Sequence, residues 1–480
     1  MMDGKSSVPT KPLYKQIAEQ IEQRISSGEF GPGSYLPSER TLAKELNVNR
    51  STVVAAYDEL QAAGMIERIQ GSGTIVSQDI WGLARTRVPN WRHLTESGSF
   101  RPNLPLIRKI RRETQENDLI DLASGELSTD LVPNQTLQQL MTPDDFPAHL
   151  GYEHPQGNWA LRETLSLHMK AWRSIEAPAT SIMITSGAQQ ALHLVVQCLL
   201  KPGDAVAIEE PSYCYSLPLF HSAGLRTFSL PVDRDGIDPK HLAQLHRQHR
   251  IKMVFLNPNY QNPTGTLLSL ERRQELLAFS YEKGIPIIED DPYSLTSFSR
   301  EPVPTLKSLD QHGTVLYISS LTKIVASGLR IGWIVGPPTV MERLADAKQQ
   351  FDFGHSIFPQ WLANRFLGSP QFASHIDLLR TELSLRHDQL VSSLQDKFGD
   401  QVEMVGSEGG IHLWCKFKGE WSGEHFLTES VKRGVVFVPG HLFGAEQGYV
   451  RFTFGRATLD QITEAVSRLA DAFTASGWSK

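Results

Sequence analysis

The sequence predicts two unlike units in series: a small winged helix-turn-helix over residues 11–78 and a long α/β unit over 119–480, joined by a linker at 79–118. Three observations carry that prediction. The early residues hold three short helical patterns followed by a strand-turn-strand pattern. From Leu119 onward strand-like and helix-like stretches alternate, the layout of a mainly parallel sheet with helices around it. Several of those strand-like stretches end in turn-forming, polar residues, as ligand sites do at the carboxyl ends of parallel strands.

Length and composition narrow the classes. A chain of 480 residues holds roughly three domains' worth of sequence. With 40% hydrophobic and 21% charged residues and a formal net charge of −6, it reads as a soluble globular protein. The N-terminus lacks the basic-then-apolar layout of a signal peptide, and the apolar run Ala191 to Leu200 is short and contains His193 and Gln197. A cytoplasmic protein without a membrane span is expected. Cys198, Cys214 and Cys415 show neither CxxC nor metal spacing, so reduced thiols and no metal site are expected. The acidic balance argues against nucleic-acid binding by the chain as a whole, yet a small DNA-reading module can be attached to a large acidic one.

In the first unit, Leu13, Ile17, Ile21 and Ile25 recur every fourth residue and place one apolar stripe on a helix that Gly28 ends. After the break at Gly31-Pro32-Gly33, Ser38 caps a second helix carrying Leu42, Ala43 and Leu46. A third helix runs from about Arg50 to Ala63, closed by Gly64. Two short helices joined by a tight turn present the N-terminal end of the second to the major groove, and here Arg50, Ser51 and Thr52 stand at that end. Met65 to Ile69, then Gln70-Gly71-Ser72-Gly73, then Thr74-Ile75-Val76 form a strand-turn-strand wing whose glycines permit close approach to a phosphate.

The run Leu36-Pro37-Ser38-Glu39-Arg40, the Arg50-Ser51-Thr52-Val53 helix start and Gly71-Ser72-Gly73-Thr74-Ile75-Val76 resemble the winged helix of GntR-type regulators over about Lys11 to Ser77. The resemblance implies DNA contacts by Arg40, Arg50, Ser51 and Thr52, with Gly71 at the wing tip. Many family members carry a further arginine where this chain has Val54. A small helical domain used for protein contacts is the alternative.

Between Asp79 and Asp118 no period holds for long; Trp81, Pro89, Trp91, Pro102 and Pro105 interrupt it, and Arg101, Arg108, Lys109, Arg111 and Arg112 cluster. This stretch is expected to be a tether, partly helical after Pro105.

In the long unit, Met183-Ile184-Thr185 feeds Ser186-Gly187-Ala188-Gln189, a strand, a turn and a helix start whose free N–H groups form an anion site. Val206-Ala207-Ile208 leads to Tyr213, an aromatic placed to stack on a ring. Val254-Phe255-Leu256 precedes the amide-rich turn Asn257 to Gly265, with Asn262 suited to donate to a phenolate oxygen. Ile287-Ile288-Glu289 ends in Asp290, with Tyr293 three positions on; a carboxylate there suits a protonated ring nitrogen. Lys323 follows the strand-like Val315 to Ile318 among small and hydroxylated residues, with Ser320 before it and Arg330 after it, a setting for a nucleophilic amine and a bound phosphate.

In that order the motifs resemble fold type I pyridoxal phosphate (PLP) enzymes, specifically class I aminotransferases, from about Leu119 to the C-terminus. The resemblance implies an α/β cofactor domain with a smaller C-terminal α+β part. It further implies that Lys323 forms an aldimine with PLP, Asp290 pairs with the pyridine nitrogen, and Tyr293 and Asn262 bond the 3-oxygen. Tyr213 would stack on the ring, and Gly187, Ala188, Gln189, Ser320 and Arg330 would hold the phosphate. Tyr152 matches a tyrosine that reaches the partner subunit's phosphate, which implies a homodimer with swapped domains. Arg451, inside the apolar Val450 to Phe454, would clamp a ligand carboxylate, with a structural salt bridge as the alternative. His412, in Gly409-Gly410-Ile411-His412, would stand beside the ligand.

Joined by a linker, the two halves have the layout of MocR-type regulators. That resemblance implies a transcription factor that binds a double-stranded DNA operator, with an amino compound or PLP itself sensed through Lys323. A working aminotransferase with an accessory DNA-binding head is the rival expectation.

Overall fold

A computed structural model describes residues 11–78, 98–142, 147, 150–419 and 421–476. The chain divides into two compact units between Gly98 and Ser99. Linker residues 79–97 lie outside the described residues.

The first unit packs three helices, Leu13–Ser26, Glu39–Glu45 and Arg50–Ala62, against a hairpin. Ile17, Ile21 and Ile25 from the first helix meet Val53, Tyr57 and Leu60 from the third in one buried cluster, as the four-residue spacing requires. Ser38 caps the second helix by accepting from the Thr41 N–H at 3.1 Å. The hairpin pairs Ile66–Ile69 with Gly73–Val76 in antiparallel register, Ile69 opposite Gly73. Gly71 at its tip takes φ +80°, a backbone that L side chains resist.

The second unit is built on an eight-stranded sheet. Its order is Ile182–Thr185, Gly332–Val335, Val315–Ser320, Ile287–Asp290, Met253–Leu256, Ala205–Glu210, Arg226–Asp233 and Gly236–Ile237. Neighbours from Val315–Ser320 through Arg226–Asp233 are parallel, and Gly332–Val335 runs antiparallel to both strands beside it. Near-continuous burial of Ile182–Thr185, Met253–Leu256 and Val315–Ser320 reflects a sheet covered on both faces. A second sheet orders Val402–Val405, His412–Phe417, Tyr449–Thr453 and Val438–Pro439, with His412 opposite Thr453 and Trp414 opposite Arg451.

The stretch expected to be partly helical after Pro105 is helical, and it packs on the large unit. Pro105–Glu116 is a helix whose Ile110 is buried in the core of the large unit, with Leu106 and Ile107 packed beside it. Its basic residues masked that apolar face in the sequence. No helix among the described residues is long and apolar enough to cross a membrane.

Candidate functional site

The parallel strands deliver their carboxyl ends to one cavity of about 720 Å³. Ala188, Gln189, Tyr213, Asn262, Asp290, Tyr293, Ser320, Lys323, Arg330 and Arg451, ten of the residues singled out from sequence, line it. Gly187, next to the lining residue Ala188, takes φ +74°, and a Cβ there would come within 2.6 Å of Arg330 Nη2. Arg330 in turn donates to the Ser186 carbonyl at 2.8 Å. An arginine fork, a helix start and the Ser320 side chain thus border the same space.

Lys323 sits in a turn just past strand Val315–Ser320 and donates to the Gly125 carbonyl. Burial is the main cause that lowers its pKa to about 8, with the Arg451 charge adding to it and Glu126 and Asp290 opposing. A cavity amine held near neutrality is a competent nucleophile. Asp290 lines the same cavity, its carboxyl pushed up to about 7 chiefly by burial and next by Asp291. Its Oδ1 is buried without a hydrogen-bond partner among the described residues, so the site carries an acceptor that a cationic N–H of a ligand would satisfy.

Arg451 is buried, and its pKa falls to about 10 because of that burial. It donates to Asn262 Oδ1 at 3.0 Å and to the Ala123 carbonyl, while its Nε has no partner among the described residues. Among the described residues it forms no salt bridge, so the structural pairing considered from sequence is absent. A buried, cavity-facing guanidinium without a carboxylate is built to receive one. His412 lies 3.1 Å from the Tyr293 hydroxyl and 3.0 Å from Thr453 Oγ1, and burial drives its pKa well below the usual range, helped by Arg451 and Lys323.

Tyr152 does not line this cavity; it is 84% exposed, and its ring lies 5.9 Å from that of Phe353.

On the winged helix, Arg40, Arg50, Ser51 and Gly71 are exposed and Thr52 is half-buried. Arg50 pairs with Glu39 at 3.1 Å, and Glu39 also meets Arg68, which pairs further with Asp58. Arg68, on the wing strand, was not evident from the motif.

Two family matches fall on these two units. Residues 13–76 match "Bacterial regulatory proteins, gntR family" and residues 117–469 match "Aminotransferase class I and II". Over 95% of both chains, the sequence is 37% identical to the uncharacterized HTH-type transcriptional regulator YdfD of Bacillus subtilis. The chain belongs to the MocR-type regulators. Its cofactor-domain fold is similar to kynurenine aminotransferase of Pyrococcus horikoshii, solved with PMP, KYN and KYA (28% identity, TM-score 0.75, 82% of this chain and 99% of that one). It is also similar to LysN of Thermus thermophilus, an α-aminoadipate aminotransferase complexed with N-(5'-phosphopyridoxyl)-L-leucine (25% identity, TM-score 0.73, 80% and 98% coverage).

This MocR-type regulator also uses residues that no motif announced. Gly125 borders both Lys323 and His412: a Cβ there would lie 3.3 Å from the Lys323 amine and in ordinary contact, 3.5 Å, with the imidazole. Asn257 donates to the Asp290 carbonyl at 2.8 Å and its Oδ1 accepts from the Asn262 N–H at 2.8 Å. Glu209 accepts from the Asn257 N–H at 2.8 Å. In the sequence Asn257 shows only as the first residue of the amide-rich turn at a strand end; Gly125 and Glu209 carry no such signal.

Proposed function

We propose that this transcription regulator binds PLP at Lys323 and senses an amino-acid-like effector in the same cavity. The observation that carries the reading is that one cavity is lined by the Lys323 amine, by Asp290, whose Oδ1 has no partner among the described residues, and by a buried Arg451 that pairs with no carboxylate among them. When bound, PLP supplies an aldehyde for the lysine amine and a cationic ring that withdraws electrons. Lys323 is the residue that bonds covalently; Asp290 receives the ring N–H; Tyr213 offers its face; Ala188, Gln189, Ser320 and Arg330 bind the phosphate, with Gly187 clearing the space. Arg451 takes the effector carboxylate. In the winged helix, Arg40, Arg50, Ser51, Thr52 and Gly71 face an operator duplex. A homodimer in which Tyr152 serves the second subunit completes the reading.

A second reading, turnover as an aminotransferase, is favoured by the complete set of cavity residues and by an amine at Lys323 poised near neutrality to carry protons. Multiple-turnover conversion of an amino acid and a keto acid by the purified protein decides in its favour.

The test of the first reading uses visible absorbance after addition of PLP. The wild type turns yellow and Lys323→Ala does not; a colourless wild type contradicts the assignment. Arg50→Ala weakens binding to promoter-region DNA and lowers the slope of log affinity against log salt by about one, with the visible band unchanged.

A further inference from the structure

One wall of the cavity is a helix face. Along Pro105–Glu116, Ile107, Ile110, Arg111 and Thr114 recur at the three- and four-residue spacing of a single face, and all four line the cavity, with Gln115 beside them. The core fixes that orientation, since Ile110 is buried in it and Ile107 packs against it. Arg111 is carried to the cavity with them while staying exposed. Arg108, Lys109 and Arg112 of the same helix do not line it.

Among the described residues, five basic side chains border this space: Arg111, Lys323, Arg330, Arg451 and Arg456. Four of them have a task or a partner. In the reading above Lys323 takes the aldehyde, Arg330 the phosphate and Arg451 the effector carboxylate. Arg456 donates to the Leu127 carbonyl at 3.1 Å and faces Glu126 at 3.6 Å and Asp121 at 3.8 Å. Arg111 has no hydrogen bond or ion pair among the described residues. Three and four positions away on its own helix stand Ile107, Arg108, Thr114 and Gln115, none of them acidic. The charges of Arg111 and Arg451 both act on the Tyr213 phenol, so the two guanidinium groups stand within electrostatic reach of one point in the cavity. A ligand that fills the cavity strips water from Arg111, and that loss is offset when the ligand itself brings an anion.

We propose that the effector is an amino acid with an acidic side chain, its main carboxylate held by Arg451 and its second by Arg111. The inference rests on the reading of this cavity as the site of PLP and an amino-acid-like effector. A carboxylate meets the guanidinium fork through two parallel hydrogen bonds. A neutral side chain of the same shape leaves Arg111 desolvated and unpaired, and that difference sets the specificity.

Isothermal titration calorimetry of the PLP-loaded protein tests this with L-aspartate beside L-asparagine and L-glutamate beside L-glutamine, pairs alike in shape and different in charge. In the wild type the acid of at least one pair binds tighter than its amide by about tenfold or more, the size of one hydrogen bond to a charged group. Arg111→Gln brings that ratio to within about twofold, chiefly by weakening the acid. Arg111→Glu reverses the preference, so that L-ornithine binds tighter than L-glutamate, an effect that loss of a merely structural arginine does not produce. The proposal is overturned if acids and amides bind the wild type alike or not at all, or if Arg111→Gln preserves the ratio. A failure of the PLP reading is seen separately, because the wild type then forms no visible band on addition of PLP.

Discussion

Asp290 and Asp291 are consecutive carboxylates with opposite surroundings. Asp291 accepts from Tyr317 at 2.8 Å, Ser294 at 2.6 Å and Asn259 at 3.2 Å, and pairs with Arg173 at 3.4 Å, deep in the core. Asp290, the last residue of its strand, lines the cavity with an oxygen that has no partner among the described residues. Side chains alternate across a strand end, so one position holds the scaffold and the next faces the ligand.

Substitution separates the two roles. Asp291→Ala strands the buried Arg173 and costs about 3–5 kcal/mol in denaturant unfolding. Asp290→Asn does the reverse. Its carboxyl is raised from 3.8 to about 7 in the folded apo-protein, so the folded state holds the proton more tightly than the unfolded chain does. This group's contribution therefore declines as pH rises from about 4 to about 7. The Asn variant lacks that decline: its stability relative to wild type improves across this window, while PLP binding is lost. Urea melts at several pH values and a PLP titration check both.

Lys323 sets a second pH dependence. The neutral amine is the reactive form, so the rate of visible-band formation on mixing apo-protein with PLP rises with pH through a midpoint near the lysine's pKa of about 8. Arg451→Gln removes one of the charges that depress this pKa, and the midpoint moves up. Stopped-flow absorbance measures it; an unchanged midpoint shows that the Arg451 charge does not act on the amine.

The phosphate end tolerates no added bulk. A Cβ on Gly332 would lie 2.6–2.9 Å from the backbone of Gly187 and Ala188, and one on Gly187 would strike Arg330 from a left-handed backbone. Gly332→Ala moves the helix start itself and weakens PLP affinity at least tenfold, about 1.4 kcal/mol, in equilibrium titration. Gly313→Ala, also at positive φ but with open space around it, costs stability alone.

Much of this organisation was legible in the sequence because the informative residues sit at strand ends. Tyr213, Asn262, Asp290 and Lys323 each follow an apolar run, and a parallel sheet gathers such ends whatever lies between them. What was hidden depends on contacts between distant segments. Gly125 borders Lys323 and His412 from a distant segment, and Thr453 faces His412 across a strand pair. The helix Pro105–Glu116 shows a basic exterior whose apolar face becomes readable once the core beneath it is known. On the winged helix, Arg68 joins Arg50 around Glu39 through strand pairing that no local motif records.

If PLP bound at Lys323 is what the protein senses, its loading alters how the winged helix binds DNA. Fluorescence anisotropy with labelled promoter-region DNA, for wild type and Lys323→Ala, each with and without PLP, tests it most directly. The account predicts that PLP changes the DNA affinity of the wild type severalfold and leaves that of Lys323→Ala unmoved. An equal response in the two proteins, or none in the wild type once its visible band has formed, contradicts it.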